Sequence, residues 1–131
     1  IQDLAGNFDV VLIDGEAGVE QINRRVMKTV DHLIAISDTS AKGMNVARTI
    51  KHLAFDNQAV NYKNMGMILN RVRDQQEVEI IREHIPIDLL GWLPEDDLIR
   101  EFDFHSRSFL DFPDAATAHR TVDSIIRNLQ I

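Results

Sequence analysis

Four short apolar runs constrain the fold most: Phe8–Ile13, His32–Ser37, Met65–Leu69 and Leu89–Leu93. Each is nearly continuous in apolar character. A half-buried strand alternates polar with apolar, because successive side chains point to opposite faces. A run without that alternation fits a strand covered on both sides. The segments between them carry a helical period. Val46, Ile50, Leu53 and Ala54 recur at i, i+4, i+7 and i+8, one apolar stripe. Before it stand Asp38, Thr39 and Ser40, whose side-chain oxygens can accept the free N–H groups of a first helical turn. Shorter helices are predicted over Val19–Thr29, Gln75–His84 and Asp96–Phe104. A last one runs from Pro113 or Asp114 to about Leu129, with Ala115, Ala118, Val122, Ile125, Ile126 and Leu129 on one side. Strand then helix, repeated, predicts an α/β fold: a doubly wound, mostly parallel sheet flanked by helices, joined by right-handed crossovers.

The 131 residues suit one domain, with 44% apolar residues for a core and 27% charged residues for a solvated surface. No apolar run approaches the roughly 18 residues needed to cross a bilayer, and no basic leader precedes a small-residue cleavage site. The expectation is a cytoplasmic protein without a membrane partner. A net charge of −7 and scattered Lys and Arg, densest at Arg24, Arg25 and Lys28, argue against nucleic acid as a partner. Cysteine is absent, which removes disulfides, thiolate chemistry and cysteine-ligated metals from this chain.

In a parallel sheet of this kind, ligands bind at the carboxyl ends of the strands. Asp14, Ser37–Asp38, Asn70–Arg71 and Pro94–Glu95–Asp96 all fall there. Asp14 closes an apolar strand and is followed by Gly15, Glu16, Ala17, Gly18, Val19 and Glu20. A carboxylate at a strand tip can hold a Mg2+ shell through water, and a glycine N–H can approach a terminal phosphate unobstructed. The same pattern also suits an aspartate that caps the following turn.

The order of the segments adds to this. "FDVVLIDGEAGVE" resembles the Walker B and switch II segment of the MinD/ParA-type ATPases, P-loop proteins with a deviant Walker A loop. It is most similar to the carbon monoxide dehydrogenase maturation (CooC-like) group, whose strand ends D-x-E-A-G-[IVT]-E. Those positions are Asp14, Glu16, Ala17, Gly18, Val19 and Glu20 here. MinD itself typically has Pro where Glu16 stands. "VDHLIAISDTSAKGMNVARTIKHLA" resembles the family's next strand and helix, "MGMILNRVR" the strand ending in Asn and a basic residue, and "LLGWLPEDDLIREFDF" the segment whose Pro-acid turn lies against the base.

The resemblance implies a site for ATP and Mg2+. Asp14 would bind Mg2+ through water and Gly18 would meet the γ-phosphate. Asn70 would read the adenine edge, with Arg71 beside it, and Pro94, Glu95 and Asp96 would line the base. It also implies a dimerising ATPase that inserts metal, nickel, into a target metalloenzyme.

Two departures qualify the resemblance. The loop G-G-x-G-K-[ST] is absent: Gly6, Gly15, Gly18, Gly43, Gly66 and Gly91 form no cluster. "SAKGMN" places Lys42 and Gly43 at a helix start, but one glycine builds no cradle of N–H groups. The maturation group's Cys-x-Cys pair is absent too. Residues 1–131 are therefore expected to be a single α/β fragment, the C-terminal half of such an ATPase domain, lacking the Walker A strand and loop. Alone it is expected to hydrolyse no ATP and to hold no cofactor tightly. It is also expected to self-associate, as a homodimer or through the exposed edge of Phe8–Ile13.

Other patterns carry less. Glu16 and Glu20 lack a histidine partner, and His32, His52, His84, His105 and His119 are dispersed, which favours solvated or packing roles over zinc. Trp92 and Phe8 are expected in the core. "EFDFHSRSFLDFP" is rich in Phe and is expected to form a short helix and loop over the sheet, with an interaction surface as a second use. No Gly-x-Ser-x-Gly elbow is present, which disfavours a hydrolase triad. A receiver-like phosphoacceptor would need an early acidic pair and a late Lys–Pro, where this chain has Leu93–Pro94–Glu95. A positioning ATPase of the MinD/ParA type shares the nucleotide chemistry; Glu16 disfavours it, and "VDSIIRNLQI" has few cations for a membrane-targeting helix.

Overall fold

A computed structural model of the chain describes residues 6–15, 29–56 and 60–129. The elements run β1 (Thr29–Asp38), α1 (Ala41–Lys51) widening into a π-helical turn (His52–Asp56), β2 (Asn61–Val72), α2 (Gln75–His84), β3 (Leu89–Pro94), α3 (Asp97–Phe104), a 3-10 turn (Phe109–Asp111) and α4 (Thr117–Asn128). The strands form one parallel sheet in the order β1-β2-β3. The expected parallel α/β sheet is present, and its strands are longer than their apolar centres.

Side-chain caps start three of the helices. Ser40 accepts the Gly43 N–H at 3.0 Å and opens α1. Asp74 accepts the Glu77 N–H at 3.0 Å, while the Glu77 carboxylate reaches back to accept the N–H of Arg73, the residue before the cap, at 3.2 Å, and the two bonds together fix the start of α2. Asp96 accepts the Leu98 N–H at 2.9 Å, so it caps α3 instead of lying within it. α4 begins three or four residues later than predicted. The Ala116 N–H donates to the Pro113 carbonyl in a turn, at 2.9 Å, and no side chain caps the helix after it.

One core lies between the sheet and the first two helices: Ala35, Met67 and Leu69 meet Met44 and Ala47 of α1 and Val78 and Ile81 of α2. Met44 and Ala47 are the deepest residues of α1, so its buried face is rotated from the predicted stripe, while Ile50 is half-buried and Ala54 fully buried. The other face of the sheet carries α4. Gly91 pairs with Ile68, which lies between the core-facing Met67 and Leu69 and so points the opposite way. A Cβ on Gly91 would stand 2.6 Å from Ile125 of α4, so only glycine lets the helix settle on β3. On the same face of β1, Ile36 is 66% exposed.

The first apolar run departs from expectation. Phe8–Ile13 forms no strand: among the described residues the sheet has β1 and β3 as its edges, and residues 6–15 pair with neither. Phe8 is 67% and Leu12 95% exposed, so Phe8 is not a core residue. A strand needs ladder partners and cover to offset its ordering entropy, and hydrophobicity alone supplies neither. Trp92 packs, half-buried, against the core. The helix predicted over Val19–Thr29 lies outside the described residues, except Thr29, which begins β1.

Candidate functional site

The carboxyl ends of the three strands bring most of the predicted residues together. Asp38 at the end of β1 stands in register with Asn70 of β2. Beyond Leu69 the pairing with β3 slips: Leu69 faces Trp92 and Val72 faces Pro94, so three steps along β2 match two along β3. The extra residue is a β-bulge at Asn70–Arg71. Arg71 is held there with φ 57°, in the left-handed region that side-chain-bearing residues rarely occupy. Its N–H turns back to donate to Asn70 Oδ1 at 3.0 Å. The Glu95 N–H donates to the Val72 carbonyl at 3.1 Å, which ties the turn at Pro94, Glu95 and Asp96 to the end of β2.

The start of α1 closes the corner from the β1 side. Asp38 Oδ1 accepts the Ser40 N–H at 3.0 Å and the Ser40 hydroxyl as well. These two bonds hold the Asp38 carboxyl below the usual carboxylate range, helped by the charges of Arg71 and Lys42. A Cβ on Gly43 would come 2.4 Å from Asp38 Oδ1 and 2.6 Å from Ser37 Oγ. The first turn of α1 therefore sits directly against the strand end. The sequence marked Asp38 as a strand-end residue and, with Ser40, as a candidate cap, but did not show that Asp38 and Ser40 join Lys42 in one corner. The spacing Asp-x-Ser-x-x-Gly at a strand-to-helix junction is the signal that would have found it.

Asp14 is placed otherwise than expected. It is exposed at the end of an irregular stretch and not at the tip of a ladder strand, because the run before it has no ladder. Gly15 beside it is half-buried. Glu16, Ala17, Gly18, Val19 and Glu20, the rest of the switch-II-like segment, lie outside the described residues.

The donor set at the corner suits a base edge. Asn70 Oδ1 keeps a second lone pair after accepting from Arg71, and its Nδ2 offers two N–H donors, which matches an edge presenting one donor beside one acceptor. A Mg2+–triphosphate asks for more. Among the described residues no group of three or more His, Cys, Asp or Glu could hold a metal ion, and the glycines do not adjoin one another to form a nest of N–H groups. The described residues fit a base-reading corner and do not by themselves complete a phosphate site.

Known proteins carry the same sequence pattern. No family model matches the chain. An uncharacterised ATP-binding protein of Methanocaldococcus jannaschii is 30% identical over 131 residues, spanning 98% of this chain and 51% of that protein. The septum site-determining protein MinD of Bacillus subtilis is 28% identical, over 93% of this chain and 48% of MinD. The carbon monoxide dehydrogenase accessory protein CooC of Rhodospirillum rubrum is also 28% identical, over 92% and 46%. In sequence and fold the chain is similar to the MinD/ParA-type P-loop ATPases. Solved structures agree on the fold: MinD of Aquifex aeolicus superposes with a TM-score of 0.73 over 98% of this chain and 56% of that one, at 21% identity. MinD of Pyrococcus furiosus gives 0.72 at 15% identity. The chain spans about half the length of the curated relatives it matches. The chain is equally similar to MinD and to CooC, so identity does not separate those two branches. Among the described residues no helix is long and apolar enough to cross a membrane.

Proposed function

We propose that this chain supplies the base-reading half of an ATP site in a MinD/ParA-type ATPase. The observation that carries the reading is the bulge at Asn70–Arg71, level with Asp38 and tied to the Pro94–Asp96 turn at the carboxyl ends of three parallel strands. Asn70 reads the adenine edge, Arg71 flanks it, and Pro94, Glu95 and Asp96 line the base. Asp14 holds Mg2+ through water, and Gly18 approaches the γ-phosphate. The chain is a fragment of one α/β domain and cytoplasmic. A second polypeptide stretch, bearing the P-loop, completes both the phosphate site and the sheet. The exposed side chains of Phe8–Ile13 and Ile36 support that incompleteness, since parallel sheets are ordinarily covered on both faces. Without that stretch the chain hydrolyses no ATP and binds nucleotide weakly, because most of the phosphate grip comes from preorganised donors elsewhere.

Within the family we favour maturation of a metalloenzyme such as carbon monoxide dehydrogenase, with nickel as the cargo and a nucleotide-dependent homodimer as the working form. Glu16 in D-x-E-A-G-V-E supports that branch. A positioning role of the MinD kind is the second reading, supported by the MinD structures among the fold's neighbours.

The test is ATP binding and turnover by the chain alone and by the chain joined to a P-loop-bearing half. Turnover by the chain alone would defeat the fragment reading. In the joined protein, Asn70→Ala should weaken ATP by about tenfold or more, the cost of leaving polar partners unpaired. An unchanged ATP affinity would remove Asn70 from the site.

A further inference from the structure

β3 is an edge strand: among the described residues it pairs with β2 alone, and its outer side has no ladder partner. The Glu95 N–H donates to the Val72 carbonyl of β2. Successive residues of a strand turn their N–H and C=O to opposite sides. Leu93 and Gly91 therefore also turn toward β2, and Trp92 between them turns its N–H and C=O outward. β3 is regular over this stretch. One register slip lies before it, where Met67 faces Leu89 and Ile68 faces Gly91, so that Leu90 is an extra residue. The other slip lies in β2, at Asn70–Arg71.

A groove runs along this outer side. Leu90, Gly91 and Trp92 form one wall and α4 the other, and no residue of β2 enters the lining, so the groove opens away from the sheet. The indole of Trp92 packs against the core on the opposite face, so its main chain is what borders α4. Thr117, Thr121, Ser124 and Asn128 of α4, at i, i+4, i+7 and i+11, share the flank that lines the groove. That wall is polar and carries a single charge, Arg120. No carboxylate among the described residues stands within ion-pair distance of Arg120, and the neighbouring Asp123 is engaged by Arg127 at 2.8 Å. The groove thus sets unpaired main-chain groups opposite an uncompensated cation.

We propose that this groove takes an extended acidic peptide of another protein, added as a further strand on β3 at Trp92, with a carboxylate of the peptide on Arg120. Strand addition draws its affinity from main-chain hydrogen bonds and its selectivity from the side chains along the groove. The extra residue at Leu90 and the missing N–H of Pro94 bound the edge on either side of Trp92, so the added strand is short. At physiological salt charges are screened beyond about 8 Å, so Arg120 acts on the peptide while most of the chain's net −7 does not. The groove lies on the far side of β3 from Asp38 and Asn70, so the proposal does not depend on the nucleotide reading.

The test titrates a fluorescent hexapeptide of alternating Thr and Glu into the chain at about 0.15 M salt. Its controls are the Thr/Lys counterpart and the Thr/Glu peptide methylated at every amide nitrogen, which keeps its charges but donates no ladder bond. The Thr/Glu peptide should bind, the methylated form about tenfold more weakly through lost hydrogen bonds, and the Thr/Lys peptide more weakly as well. Hydrogen exchange at the Trp92 amide should slow when the Thr/Glu peptide is bound. Arg120→Gln removes an exposed charge and no buried packing, so its thermal midpoint should match the parent's. It should weaken the Thr/Glu peptide about threefold, the worth of an exposed ion pair, and bind both charge types alike, whereas Arg120→Lys should keep the preference for Glu. Absent binding of the Thr/Glu peptide, equal binding of its methylated form or unchanged exchange at Trp92 would overturn the proposal. So would a preference for Glu that survives Arg120→Gln. Sedimentation showing a dimer whose formation protects the Trp92 amide would assign the edge to a second copy of the chain, and would also overturn it.

Discussion

Arg71 gives the sharpest test of the corner's geometry. Its φ of 57° lies where an L side chain costs about 1–2 kcal/mol relative to glycine. Arg71→Gly removes that cost and adds back roughly 0.5–1 kcal/mol of chain entropy, which leaves a net gain of about 0–1.5 kcal/mol. Arg71→Val places a β-branched side chain in a region such residues scarcely enter, so it should lose at least about 1 kcal/mol. Asn64, exposed in the regular part of β2, serves as the control. There Asn64→Val should be neutral or stabilising, because extended backbone favours β-branched residues. Urea denaturation at constant slope measures all three. A valine tolerated equally at positions 64 and 71 would mean that Arg71 is extended and that the bulge holding Asn70 does not exist.

Two further outcomes follow from the packing and the charges. Gly91→Val should destabilise the fold by about 1–3 kcal/mol through its clash with Ile125. A double-mutant cycle in urea should show Ile125→Ala recovering part of the loss; strictly additive costs would place α4 elsewhere. Asp38 has a lowered carboxyl pKa in the folded chain, so its contribution is complete above the unfolded value near 3.8 and is lost as pH falls through the folded value. Asp38→Asn should accordingly flatten the acid side of the stability–pH curve below about pH 4, whereas an unchanged acid limb would show that Ser40 does not hold a charged partner.

Much of this fold could be read from spacing alone. The runs around Ile34, Ile68 and Leu90 lie in the three strands, and Ser40, one of the capping candidates, caps its helix, because local propensity and burial agree there. What could not be read depends on non-local partners. Phe8–Ile13 has the composition of an inner strand, yet composition does not create the neighbour that would hydrogen-bond to it. Arg71 carries no local sign of a left-handed backbone, since glycine or asparagine would be the usual marker; the slip against β3 imposes it. Asn70 was singled out by the family resemblance, whereas its hydrogen bond from Arg71 and its level with Asp38 required the register. The partly uncovered stripe of α4, with Val122 and Ile126 exposed beside buried Ile125, was legible as apolar but not as unpartnered.

The bulge also changes how β2 can tolerate a lost residue. Leu69 and Val72 both belong to the core, although three positions of regular strand would send them to opposite faces. The additional residue restores the phase. Deleting Arg71 outright would bring Val72 two positions after Leu69, still facing the core, and would leave a straight strand with no bulge to hold Asn70. A shortened β2 of that kind would keep its interior and lose its corner, so the fold and the site can be gained or lost separately by a single codon.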